Sequence, residues 1–443
     1  MKFMSIFNVN KKSVLAILIF APSLVFASKF VFAQSLSFEE QVAKLLETHP
    51  RILAATQTVS SLEEGLRVAQ KAWFPNLAVT ASKAKEDRNN VSLTDDTKMK
   101  SDELKLTVTQ PVYDFGSKSA ASTIARIQLQ QATKTLELTK QSIILEIGSA
   151  QMGVAIAAEK LRYAKRSLSN LKKQTKLEDI KVKSGAGVST DVLQAKVQLA
   201  GARARLLAAE GQLDAQDNRY RAVFGNLEND FLKSRKLKLP ADALPKTLDQ
   251  ALEIARTKNF QLQSLQDAVS LAKASLSQVK ADQVWPKIDF ILDKSFKENV
   301  GGTRGKAQEL TAKLQLTYNF NFGLSVINNI DAARANYAAA QMQLDDARRL
   351  IDEAVGNAFT AYEQSLQNAK LLAEQASLSQ AFLELARKER KLGKRSLLEI
   401  LSGETAEINA RSDAAEAAGA RVTTALALLS AMGVLEAENL VLQ

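Results

Sequence analysis

Over residues 116–182, apolar or small side chains fall at 129, 132, 136, 139 and 143, in alternating steps of three and four. A four-four step to Ile147 follows, and the alternation resumes through 150, 154, 157, 161, 164, 168 and 171. This is a coiled-coil seam with one stutter, which locally unwinds the supercoil. The stretch has no proline, so it predicts a helix about 100 Å long at 1.5 Å per residue. The next predicted helix, 188–224, carries two stripes. One runs through Val192, Ala195, Leu199, Ala202, Leu206, Ala209 and Leu213. The other, slightly rotated, runs through Val197, Ala200, Ala204, Leu207 and Gly211. Two adjacent stripes mean a neighbour on each side, so such helices either close into a tube or pack as an ordinary bundle.

The period changes to two elsewhere, and four strands are predicted at about 75–87, 102–113, 286–298 and 308–320. In the last, Leu310, Ala312, Leu314, Leu316, Tyr318 and Phe320 share one face, while Thr311, Lys313, Gln315, Thr317 and Asn319 share the other. Each segment is about the length that a tilted membrane strand needs. The residues expected to face lipid are Leu310, Leu314, Leu316, Tyr318 and Phe320. A periplasmic sheet with one wet face is the alternative.

These elements are written twice. Gly185 through Leu193 aligns with Gly393 through Leu401, and Phe224-Gly225 with Met432-Gly433. Asp114-Phe115-Gly116 matches Asn321-Phe322-Gly323, and Trp73-Phe74-Pro75 matches Val284-Trp285-Pro286. The shared order and offset predict a tandem duplication of a helix-strand-strand-helix-helix unit. The first unit spans 34–225, with helices from about Ser37 to Ala72, 116–182 and 188–224. A linker at 226–246 follows, set as a belt at mid-height. The second unit spans 247–435, with its long helix at 323–391 and the next at 396–432, and 436–443 form a tail.

The N-terminus adds a compartment. Lys2, Lys11 and Lys12 precede an apolar run from Val14 to Phe26, too short for a comfortable span, and residues 1–33 read as a secretory signal. Cleavage is expected after Ala33, with Ala27 as the alternative. The net charge of +11 includes four lysines within that signal. The remaining excess is spread along the chain without a nucleic-acid module, so no nucleic-acid partner is expected.

There is no cysteine and one histidine, His49, which argues against thiol or zinc chemistry. His49-Pro50 is expected to be a surface or capping element. Phosphate-loop, dinucleotide and nucleophile-elbow motifs are missing, so neither an enzyme nor a cofactor is expected.

The duplicated unit resembles the TolC-type outer-membrane efflux family. So does the Gly-x-x-Ser/Thr-x-x-Asp/Glu-x-Leu turn ahead of an alanine-rich helix. The match covers about residues 36–436. It implies a mainly α fold with a membrane β-barrel: a homotrimer whose twelve strands close in outer-membrane lipid above a long α-helical periplasmic barrel. The implied function is an exit duct for efflux or type I secretion. Its partners would be a periplasmic adaptor and an inner-membrane RND, ABC or MFS pump. By the same resemblance, Gly185, Ala186, Gly187 and Val188 form one adaptor-contacting tip, and Gly393, Lys394, Arg395 and Ser396 the other. Gating positions fall on Thr190, Asp191 and Arg395. Arg390 replaces the family's tyrosine, Glu399 lies at the acidic constriction, and Ser402 stands where a second acid is usual. The reading from another class is a soluble periplasmic coiled-coil scaffold.

Overall fold

The computed structural model describes residues 37–88, 97–225 and 233–443. The expected signal at 1–33, with both cleavage sites, lies outside the described residues. So do 89–96 of the first hairpin loop and 226–232 of the linker.

The elements run α1 (Phe38–Thr48), α2 (Pro50–Lys71), β1 (Asn76–Arg88), β2 (Thr97–Tyr113), α3 (Ser117–Lys183) and α4 (Ser189–Phe224). After the linker come α5 (Leu248–Lys258), α6 (Phe260–Val284), β3 (Lys287–Glu298), β4 (Lys306–Thr317), α7 (Ser325–Lys391) and α8 (Leu397–Met432). Both α3 and α7 have 67 residues, and both α4 and α8 have 36. The matched landmarks before the long helices form side-chain-braced turns leading into them. Asp114 accepts from the backbone N–H of Gly116 and Lys118, and Asn321 accepts from that of Gly323.

The helix expected from Ser37 to Ala72 is in fact two. His49 sits at φ −66°, ψ 126°, outside the α region, because the Pro50 ring crowds the residue before it. Its Nδ1 then accepts from the N–H of Arg51 at 3.2 Å, capping α2. In the second half Asn259 makes the same break without a proline, and its side chain accepts from Leu262 N–H.

The sheet is antiparallel in the order β1-β2-β3-β4. Its register carries one apolar face across the strands. Leu77 pairs with Val108, Val108 with Leu292, and Leu292 with Ala312. Phe290 pairs with Leu314 and Ile288 with Leu316, while Lys294 interrupts the row beside Leu310. The opposite face is polar: Thr107 donates to Asp293 at 2.6 Å, and Lys105 reaches the same carboxylate at 3.5 Å. Tyr318 and Phe320 were expected on β4 but follow it. Lys287 is the first partner on β3, so nothing beyond Thr317 is paired, and Pro286 has no N–H to extend the ladder. At the strand–helix junctions Phe320 meets Phe322 edge-on and Phe115 stacks on Trp285 at 4.9 Å.

The main core lies at mid-height, far from the sheet. Ile143, Ile147 and Met152 of α3 pack with Tyr220 and Phe224 of α4 and with Leu426 and Leu429 of α8. The linker and tail join this core: Leu237 bridges Leu442, and Lys238 N–H donates to the carbonyl of Val441. Glycine on each helix leaves room for the side chains between α3 and α8. A Cβ at Gly419 would lie 2.0 Å from Ile156 Cδ1, and one at Gly148 would lie 2.6 Å from Leu426 Cδ1. Gly419→Leu should therefore destabilise the chain by about 1–3 kcal/mol through overpacking. Thermal unfolding of detergent-solubilised protein measures this, and an unchanged melting temperature would contradict the close packing.

Candidate functional site

The α3–α4 and α7–α8 hairpins end in the two turns singled out from sequence. Each turn is closed by paired hydrogen bonds of one kind. Gly185 N–H donates to Val182 C=O and Ala186 N–H to Lys181 C=O. Gly393 N–H donates to Arg390 C=O and Lys394 N–H to Glu389 C=O. These are Schellman motifs, which place their central residue in the left-handed region. Gly185 and Gly393 occupy it at φ +77° and +75°. Gly187 is needed for a different reason: a Cβ there would approach the Val182 backbone nitrogen to 2.9 Å.

Val188 precedes α4 as its N-cap and is exposed, as are Ala186 and Thr190. Asp191 is half-buried in the first turn of α4, where a carboxylate favours the helix dipole. Ser396 and Glu399 form a reciprocal capping box at the start of α8. The Glu399 carboxyl lies below its ordinary value, chiefly because it accepts from the backbone N–H of Ser396, while its slight burial opposes the shift. Lys394 and Ser402 are exposed.

The gating candidates divide into two groups. Arg395 donates to Glu389 at 2.7 Å, lies 3.5 Å from Glu399 and places its guanidinium over the Phe382 ring. Arg390 crosses to the other hairpin and donates to Glu178 at 2.9 Å. Asp191 joins neither arginine: among the described residues it makes no ion pair.

Glu178 was missed from sequence and is central to the geometry. It is 2% exposed and accepts from Arg390, Lys181 and Gln174. Burial pushes its carboxyl up, but the hydrogen bonds from Arg390 and Lys181 outweigh this and hold it below the ordinary carboxylate range. Position 178 looks like one more acid on a charged helix, and its partner lies 212 residues away. One alignment signal was available: Arg390 stands where the resemblance places a tyrosine, so a new anion for it was to be sought.

The surface of each tip is basic. Residues 172–196 and 384–399 together hold twelve Lys and Arg against six Asp and Glu. Among the described residues there is no His, Cys, Asp and Glu cluster able to hold a metal.

Fold and tips thus define a sheet with one apolar face, carried on a shaft of 67-residue helices whose far ends are charged turns. The family model described as outer membrane efflux protein matches residues 42–226 and 251–434. The outer-membrane efflux protein BepC of Brucella suis is 23% identical over 263 residues, covering 58% of this chain and 56% of that protein. The outer membrane protein TolC of Escherichia coli is 22% identical over 263 residues, covering 57% and 53%. The chain's match spans about half the length of these two relatives. The outer-membrane channel OprN superposes with a TM-score of 0.78 at 20% identity, covering 89% of each chain. The chain belongs to the outer membrane efflux protein family.

The lowered pKa of Glu178 has a signed consequence. Its contact contributes stability above the unfolded-state pKa of a glutamate, and that contribution is lost as pH falls through the lower folded-state value. Glu178→Gln should cost about 1.5–3 kcal/mol at neutral pH, the scale of a hydrogen bond to a charged group. The gap from wild type in thermal unfolding should close on acidification below the ordinary carboxylate range. A gap independent of pH would remove charge from the contact.

Proposed function

We propose that the chain is one protomer of a trimeric exit duct through the outer membrane, built by tandem duplication of one unit. In it, three four-stranded sheets close a twelve-stranded barrel over an α-helical tunnel. The observation that carries this reading is the sheet, with an apolar face and both outer edges, on β1 and β4, unpaired in the single chain. Four strands cannot close a barrel, and an open edge in hydrocarbon leaves backbone groups without partners. The shaft supports the same closure. On α4 the stripe through Val192, Ala195 and Ala202 is buried within the chain, whereas Val197 and Leu207 of the second stripe are 69% and 71% exposed. A neighbouring copy would cover them. A soluble scaffold leaves both the apolar sheet face and this stripe without a role.

In this duct the tips meet a periplasmic adaptor serving an RND, ABC or MFS pump in the inner membrane. Their basic surface favours an acidic docking face. Asp191 and Arg395 latch neighbouring coils, while Arg390, anchored on Glu178, ties the two hairpins of one protomer. Each exposed pair is worth only about 0–1 kcal/mol. Three repeats around a ring that opens as a unit would together bias the closed state.

Two measurements test this. Leu314→Arg should destabilise the membrane-inserted protein by about 2–4 kcal/mol if Leu314 lies near the bilayer midplane, and Gln315→Arg at the same depth should be mild. Equal responses in folding titrations would reject the assignment of faces. In planar bilayers the purified protein should conduct, and Arg395→Gln should raise its single-channel conductance. A protein that never conducts would leave the scaffold reading in place, and an unchanged conductance in the variant would leave apolar coil packing as the closure.

A further inference from the structure

Between the mid-height core and the tip, α3, α4 and α8 enclose a groove of about 190 Å³. Alanines 164, 202, 208 and 209 keep it open, and its lining holds no Asp or Glu. Besides Gln212, Asn409 and Ser412, three polar side chains line it with hydrogen-bond donors left over. Ser167 of α3 is 3% exposed, yet its hydroxyl makes no hydrogen bond. Arg205 of α4 has a buried Nη2 with no acceptor, and among the described residues no carboxylate pairs with its guanidinium. Lys160 of α3 gives one N–H to Glu416 at 2.6 Å and has others to offer.

A buried donor left without an acceptor is unfavourable, and a guanidinium beside an ammonium adds repulsion. Both penalties vanish if an anion enters. We propose that this groove binds a compact oxyanion, a phosphate or carboxylate group, held by the Arg205 fork and Lys160, with the Ser167 hydroxyl as a third donor. Arginine suits the role because its planar donors match two oxygens at once. The oxyanion has two possible sources. It is either free in solution or a carboxylate on a second copy of this chain, packed along the exposed stripe of the same α4.

The test uses full-length protein purified in detergent, with inorganic phosphate titrated calorimetrically against chloride at constant ionic strength. Arg203, exposed on α4 outside the groove lining, serves as the charge-matched control. If the oxyanion is free, phosphate binds saturably at one site per chain. Arg205→Gln then weakens binding by at least about tenfold, Ser167→Ala by a smaller factor, and Arg203→Gln leaves it unchanged. If a second copy supplies it, wild type takes up no phosphate. Arg205→Gln, but not Arg203→Gln, then lowers the assembled fraction in size-exclusion chromatography with light scattering. The proposal is overturned if phosphate binds wild type and Arg205→Gln alike. It is equally overturned if phosphate does not bind and Arg205→Gln assembles as wild type does.

Discussion

Backbone hydrogen bonding at the sheet edges is the constraint from which the rest follows. β1 and β4 each pair on one side only, so each presents a row of N–H and C=O groups along its outer edge. Water can satisfy these groups, but hydrocarbon cannot, and the apolar face running from Leu77 to Leu314 belongs in hydrocarbon. The sheet is therefore incomplete by itself in the only solvent that its outer face suits. Copies joined edge to edge would remove the deficit, and would also bring their shafts side by side. The exposed second stripe on α4 is what such a neighbour would cover, so the membrane end and the helical end make the same demand.

The shaft holds itself together differently at its middle and at its tip. At mid-height aliphatic and aromatic side chains pack at near-zero exposure, with Gly148 and Gly419 leaving room for the side chains between α3 and α8. Apolar packing of that kind is dense and does not come apart in small steps. Near the tip the hairpins meet through a small apolar cluster, Leu171 and Ala195 against Leu397 and Leu401, and beside it one buried carboxylate, Glu178, shared by Arg390 and Lys181. Ion pairs weaken with salt, pH and competing charges, whereas the core does not respond to them. The middle of the shaft is therefore held by apolar packing, and its tip partly by charge.

Much of this was legible in the chain because periodicity is a local property. Steps of three and four placed α3 and α4 to within a residue or two, matching landmarks did the same for α7 and α8, and alternation marked the four strands, though β2 begins five residues earlier than expected. The residue before a proline is biased out of the α region, which ends a helix at His49-Pro50, where the break was not anticipated. Tyr318 and Phe320 continue the alternation of β4, but a strand ends where its partner ends, and β3 begins only after Pro286.

What the sequence determined alone was the long helices, the strands, the glycine turns and the apolar faces, all dictated by neighbours a few residues apart. The tertiary structure decided which charges meet. Arg390 and Glu178 stand 212 residues apart, and the helical period puts many acids and bases at equivalent surface positions. Only the crossing of two hairpins decides that Glu178 is buried against Arg390. The same crossing leaves Arg205 and Ser167 in a groove without an acceptor, because side-chain partners across a bundle are set by the rotation and stagger of whole helices, which no local pattern encodes.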